Sequence, residues 1–326
     1  MARIPVNQMR EGDVIDQVFI LSGKQLGTTS TNKLYLKADC SDATGQIHCR
    51  MWNVARDAYE KLPSSGYAQI RGRVETYQGH LQLVAESVVQ ITDRSKLDLT
   101  ELLKKTTKNV AVMQARVKEI LQSIRDPDLL RLVDSFISDV DFMNRFSVSP
   151  AAQGMHHAWL GGLLEHTLSL LELAELICPH YPDIDRDLVL AGLFFHDIGK
   201  TAELSFEFGF DYTDFGKLLG HVAIGTLWIH QRALEINAKQ GKPIRPDLLM
   251  VLEHIVLSHH GLPEFGAAVL PKTPEAILVN MIDNLDAKTQ MAIDAVAAPT
   301  EDANWTDYKK AFNTSLYRPS VSLKNP

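Results

Sequence analysis

Apolar and polar residues alternate with a period of two through roughly the first ninety positions, and the period then lengthens to three and four. Alternation by twos puts successive side chains on opposite faces of a strand. It predicts strands over Val14–Ser22, Lys33–Asp39, Gln46–Trp52, Ala68–Tyr77 and His80–Ile91, with turns at Asp42–Gly45 and Gln78–Gly79. From Asp98 the spacing is helical: Leu99, Leu102 and Leu103 open it, Val110, Val117 and Leu121 continue it, and Leu129, Leu132, Val133 and Phe136 follow. Residues 96–155 read as a helical connector or as the first helices of the next domain. Helices are predicted beyond it over Leu160–Ile177, Arg186–Asp197, Lys217–Lys239, Asp247–His260 and Pro274–Val296, with Gly199 and Gly261 where C-terminal caps are expected. The polar stretch 317–326, with two prolines, reads as a loosely held tail.

Five short strands in about 80 residues suit a small closed barrel, an OB-fold first, although an SH3-like barrel gives nearly the same pattern. The expected fold class is therefore multidomain α+β: an N-terminal all-β OB-like barrel over 1–95, the connector, and an all-α domain over 156–316. A chain that is 45% hydrophobic and 22% charged is neither disordered nor collagen-like. The longest apolar run, Leu188–Phe195, is eight residues, against the roughly 20 that a bilayer span takes. The first residues hold no apolar leader segment, and Cys40, Cys49 and Cys178 form no C-x-x-C pair. Both features lead us to expect a reducing, cytoplasmic setting with no membrane partner, and no thiolate zinc site.

Charge is divided along the chain. Residues 1–108 carry 15 Lys/Arg against 12 Asp/Glu, and residues 109–326 carry 18 against 28. The acidic part is also rich in histidine, a mixture suited to a divalent cation. Five helices each place a metal-binding group on an apolar stripe: His166 with Leu163, Leu170 and Leu173; His196 with Val189 and Leu193, Asp197 following at once; His221 with Leu218, Val222 and Gly225; His259 with Leu252, Ile255 and Val256, His260 adjacent; and Asp283 and Asp286 with Ala276, Val279 and Ala287. Taken singly, each histidine reads as a core residue bonded to a carbonyl. Burying an imidazole or carboxylate without a partner is costly, so the set calls for one shared explanation, which a divalent metal supplies. No Ser-His-Asp signature, Gly-x-Gly-x-x-Gly or Walker A loop competes for the chemistry.

These residues carry a resemblance. Gly-Gly-Leu-Leu-Glu-His-Thr (161–167), Phe-His-Asp-Ile-Gly-Lys (195–200), Leu-Gly-His (219–221), Leu-Ser-His-His-Gly (257–261) and Asp-Asn-Leu-Asp-Ala (283–287) resemble the HD-domain phosphohydrolases. With the barrel in front, residues 10–315 resemble the YhaM-like 3′-to-5′ exoribonucleases. The resemblance implies a core metal site of His166, His196, Asp197 and Asp283, with His221 and His259 as the additional ligands of enzymes holding two ions. It implies a catalytic role for His196 and Asp197, and for Lys200 as a phosphate contact, although a lysine at a helix end also reads simply as a solvated one. His260, His156 and His157 are candidates for metal or substrate contact, whereas Asp286 matches a structural position. Manganese is the implied ion; cobalt, iron, zinc and nickel also suit such ligands. The activity implied is hydrolysis of single-stranded RNA, and of single-stranded DNA as a further substrate, by metal-activated water with release of 5′-nucleotides, in a homo-oligomer.

On the barrel, alternation puts Lys33, Tyr35 and Lys37 on one face of the second strand, His48, Arg50 and Trp52 on the outer face of the third, and Arg71 and Arg73 on the polar face of the fourth. Cations track phosphates while rings stack on bases, so Lys33, Tyr35, Lys37, Arg50, Trp52, Arg71 and Arg73 are the expected nucleic-acid contacts. A half-exposed sheet also needs a polar face for solubility, which is the plainer account of the same pattern. Two other functions fit: an HD hydrolase of nucleotides or cyclic nucleotides with a regulatory or oligomerising barrel, and a non-catalytic RNA-binding module with a structural metal. The complete ligand set argues against the second.

Overall fold

The structure is a computed structural model and describes residues 3–93, 97–152, 159–205, 211–297 and 304–318. The backbone divides into two compact units, Met1–Thr107 with Leu204–Tyr212, and Lys108–Glu203 with Thr213–Pro326.

In the first unit the five alternating segments form β1 (Val14–Thr28), β2 (Leu34–Asp42), β3 (Gly45–Trp52), β4 (Gly66–Tyr77) and β5 (His80–Gln90). They close in the order β1-β2-β3-β5-β4, antiparallel except for β3 and β5, which run parallel. That closed five-stranded barrel is the expected OB-like arrangement. Inward positions Phe19, Leu21, Leu36, Ala38, Ile47, Cys49, Ile70, Val74 and Leu83 form its core. β1 runs six residues beyond the predicted end, through an irregularity between Ser22 and Gln25 that lets the strand bend and keep pairing with β2. Gln78 and Gly79 both have positive φ, as a two-residue hairpin of the I′ kind requires. A short helix, α1 (Arg56–Lys61), joins β3 to β4, and α2 (Leu99–Leu102) packs on β1 and β2 with Glu101 O accepting from Ala43 N at 3.0 Å. The segment expected to connect the domains is thus shared: α2 belongs to the barrel, and the helices after Lys108 belong to the second unit.

The second unit contains α3 (Val110–Gln122), α4 (Pro127–Ile137), α5 (Val140–Val148), α6 (Gly162–Ile177), α7 (Arg186–Phe195), α8 (Lys200–Glu203), α9 (Asp214–Gln240), α10 (Pro246–Ser258) and α11 (Pro274–Ala297). Asn109, Asp126, Asp139, Asp185 and Thr213 cap the starts of α3, α4, α5, α7 and α9. Between α8 and α9, β6 (Leu204–Ser205) pairs with β7 (Asp211–Tyr212). The apolar run of the sequence is the body of α7, buried from Leu188 to Phe195 and packed against α4, α6, α10 and α11. A helix apolar all round is a core helix. Among the described residues, no helix is long and apolar enough to cross a membrane. The three cysteines are free and buried. Tyr317, the first residue of the expected tail, bridges to Trp305, their rings 5.3 Å apart; residues 319–326 lie outside the described set.

Candidate metal centre

Five elements bring their polar residues together. His166 sits in α6; α7 ends at Phe195, so the adjacent His196 and Asp197 leave the helix into the turn before α8; His259 and His260 follow the end of α10; Asp283 lies in α11. His221 is placed differently from expectation. The predicted stripe of Leu218 with His221 does not exist, because Gly220 (φ 72°, ψ 150°) breaks α9 and resets its phase, leaving Leu218 83% exposed while His221 faces inward. Such a backbone conformation is nearly exclusive to glycine. Gly199 is also not the left-handed cap expected of it. A Cβ there would lie 2.1 Å from His221 O, so its task is to let two chain segments touch. Gly261, at φ 77°, does terminate its helix turn as expected.

The hydrogen atoms follow from the partners. His196 Nδ1 lies 2.7 Å from Leu193 O, and His259 Nδ1 lies 2.7 Å from Val256 O. A carbonyl only accepts, so each Nδ1 carries the proton and each Nε2 a lone pair. Those two Nε2 atoms and Asp197 Oδ1 are buried with no hydrogen-bond partner. Yet His196 Nε2 lies 3.2 Å from Asp197 Oδ2, and His221 Nε2 lies 3.4 Å from Asp197 Oδ1. His221 Nδ1 faces Glu203 Oε2 at 3.0 Å and so carries a proton, while its Nε2 lies 3.1 Å from His260 Nε2. The partnerless acceptors His196 Nε2, His259 Nε2 and Asp197 Oδ1 repel one another in a low-dielectric core, and a cation relieves that repulsion. Among the described residues two groups have the spacing for an ion: His166, His196 and Asp197, and His221, His259 and His260, the ligand atoms of each within 4.8 Å of one another. Asp283 Oδ1 adjoins the first group, 3.2 Å from His166 Nε2. The donor set therefore fits divalent metal.

The charges agree. Burial would raise the Asp197 carboxyl, but Lys200 and His196 hold it well below its usual value, and Lys200 Nζ donates to Asp197 Oδ2 at 2.6 Å. Burial would likewise raise Asp283, and His166 and His196 draw it far down. Both carboxylates are anionic. Burial, then the neighbouring His260 and His196, keep His259 neutral by pushing it well down, and burial brings His260 to about 4. Burial would lower His166, but Asp283 and Asp286 push it up to about 9, so in the absence of metal its Nε2 holds a proton toward Asp283 that an ion must displace.

Two residues outside the expected site touch its ligands. Asp286 Oδ2 lies 2.9 Å from His166 Nδ1, and Glu203 contacts His221. Asp286 was visible as an inward carboxylate on the Asp283 stripe; Glu203 followed no periodic signal. His156 and His157 lie outside the described residues.

On the barrel, Tyr35 and Trp52 are cross-strand partners with ring centroids 5.1 Å apart. Lys37 and Arg50 are the next outward pair; Arg50 then aligns with Val84 and Val84 with Arg73, one lateral row across β2, β3, β5 and β4. Arg50 lies 5.0 Å from the Tyr77 ring and 5.8 Å from that of Trp52. A groove of about 550 Å³ beside it is lined by Lys37, His48, Arg50, Tyr77, His80 and Gln82. Arg71 is engaged elsewhere, bonded to Asp16 at 2.9 and 3.1 Å, and Lys33 stands just before β2.

Residues 163–288 match the family model described as the HD domain. That segment contains all the grouped histidines and aspartates, and HD domains are metal-dependent phosphohydrolases. Among solved structures, the chain is similar to the second OB-fold domain of replication protein A from Methanococcus maripaludis, at 14% identity over 28% of this chain and 95% of that one, with a TM-score of 0.23. It is also similar to a replication protein A heterotrimer bound to single-stranded DNA, at 18% identity over 25% of this chain and 62% of that one, with a TM-score of 0.20.

Proposed function

We propose that this protein is a metal-dependent 3′-to-5′ exonuclease of single-stranded RNA, accepting single-stranded DNA as well, with a two-ion centre built from His166, His196, Asp197, Asp283, His221, His259 and His260. The observation that carries the reading is the convergence of His196 Nε2, His259 Nε2 and Asp197 Oδ1, buried without hydrogen-bond partners, inside the segment that matches an HD domain. Divalent ions held there would acidify a bound water and offset the charge that develops on a phosphodiester. Lys200, kept protonated by Asp197 although burial opposes it, brings a cation to the same cluster, which supports a role in contacting a phosphate oxygen. The outward rings of Tyr35 and Trp52 with Lys37, Arg50 and Arg73 supply stacking and charge for a single strand. The polarity of attack, the preference for RNA and the manganese ion come from the motif resemblance.

The test is a 5′-labelled single-stranded RNA incubated with the manganese-loaded protein and resolved at single-nucleotide steps, beside the His196→Ala, Asp197→Ala double variant. Products shortening stepwise from the 3′ end, absent with the variant, are expected. Intact RNA together with hydrolysis of mono- or cyclic nucleotides would replace the exonuclease by the small-substrate reading.

A further inference from the structure

Of the grouped histidines, His196 and His259 are oriented by backbone carbonyls, and His166 and His221 by side-chain carboxylates. Each carboxylate serves a different ligand group. Asp286 accepts from His166 Nδ1, and its second oxygen accepts from Ser169 Oγ at 2.5 Å. Glu203 faces His221 Nδ1 at 3.0 Å with Oε2, and its Oε1 accepts from His221 N at 2.9 Å. Glu203 is itself held: it is buried at the end of α8, and a Cβ on Gly216 would lie 2.4 Å from its carbonyl oxygen and 2.8 Å from its Cγ. The first turn of α9 is therefore packed onto it.

We propose that Glu203 and Asp286 are separate positioning residues, each governing one ion of a two-ion centre, so that the ion of the His221 group can be lost while the ion of the His166 group stays. The inference rests on the two-ion reading above. A carboxylate that accepts from Nδ1–H fixes the tautomer, aims the Nε2 lone pair and makes the ring a stronger donor; losing such a partner typically weakens metal binding about 10–100-fold. Among the described residues, Glu203 contacts the ligand His221 and Asp286 contacts the ligand His166. Glu203 also ties its ring to the backbone: by bonding N–H and Nδ1 of one residue it fixes His221 immediately after the break at Gly220, where no continuous helix orients it.

The experiment uses the full chain, freed of metal and titrated with Mn²⁺ by equilibrium dialysis, with ¹¹³Cd²⁺ NMR as the reporter of each site. Wild type should take up two ions and show two ¹¹³Cd resonances. Glu203→Gln should keep one ion at wild-type affinity and bind the other about 10–100-fold more weakly; Asp286→Asn should do the same to the opposite resonance. Equal weakening of both ions by either variant, or no change in either, overturns the proposal. A single ion in wild type overturns the two-ion reading and the proposal with it, and is distinguishable because no variant is needed to see it. Should Glu203→Gln not fold, ¹⁵N NMR of metal-free wild type decides: His221 protonated on Nδ1 upholds the contact, and protonation on Nε2 overturns it.

Discussion

A core histidine needs two partners, and His196 and His259 each have one. Bonds from Nδ1 to the carbonyls of Leu193 and Val256, three residues back, are the ordinary way a helix-terminal histidine is satisfied. What sets these residues apart is the other nitrogen, buried with none. Periodicity showed that His196 and His259 point inward; it could not show how many partners they meet. Asp283 and Asp286 make the same point. They are three positions apart on one helical face, and only the fold assigns Asp283 to Nε2 of His166 and Asp286 to its outer nitrogen. Gly199 offers a direct test at this scale. Gly199→Ala adds a Cβ 2.1 Å from His221 O, so it should destabilise the protein by about 1–3 kcal/mol in urea unfolding, the usual cost of overpacking. It should also weaken Mn²⁺ binding, because His221 must move; an unchanged midpoint and affinity would contradict the close approach.

Among the elements, α7 was legible because eight apolar residues in a row admit little besides a buried helix. The phase of α9 was not, because the break at Gly220 depends on a backbone conformation that three- and four-residue spacing cannot register. The starts of α4 and α10 are joined by charge instead. Arg245 bonds Asp126, and its Nε donates to Asp128 Oδ2 at 2.8 Å, while Arg131 donates to Asp128 Oδ1 at 2.6 Å. Burial would raise both carboxyls, but bonds from Leu129 N and Arg245 to Asp126, and from Arg131 and Arg245 to Asp128, hold them below their usual values. A depressed folded pKa contributes stability that is fully present above the unfolded value, near 4, and lost as pH falls through the folded value. Arg245→Met should therefore lower stability only slightly at neutral pH, since the guanidinium is half exposed. That gap should shrink as the pH falls below the unfolded value, about 4, in urea unfolding followed across pH. A gap independent of pH would show that the pairing is not the source.

Across the whole molecule, charge and ring placement separate two chemistries. Residues 109–326 hold ten more acids than bases, and the histidine–aspartate cluster lies among them; residues 1–108 hold three more bases than acids. Single-strand binding should therefore weaken with salt, because each neutralised phosphate releases counterions, at a slope of about 0.7 per contact. Lys37→Ala with Arg50→Ala should lower that slope by about 1–2 in fluorescence anisotropy with a labelled RNA, and Arg71→Ala, whose charge is already met by Asp16, should change it little. Equal effects from the two would argue against the β2–β3 face.

By itself the sequence determined the change from period two to a three- and four-residue spacing, and hence a strand-built barrel followed by helices. It also determined the inward side of each strand and the histidines and aspartates that had to share a core. These are local consequences of side-chain period and of the cost of burying polar groups. Tertiary structure alone decided the strand closure with β3 parallel to β5, the break before His221, the close pass at Gly199, and which carboxylate steadies which imidazole. Each of those joins residues distant along the chain, and their spacing carries no information about the distance between them in space.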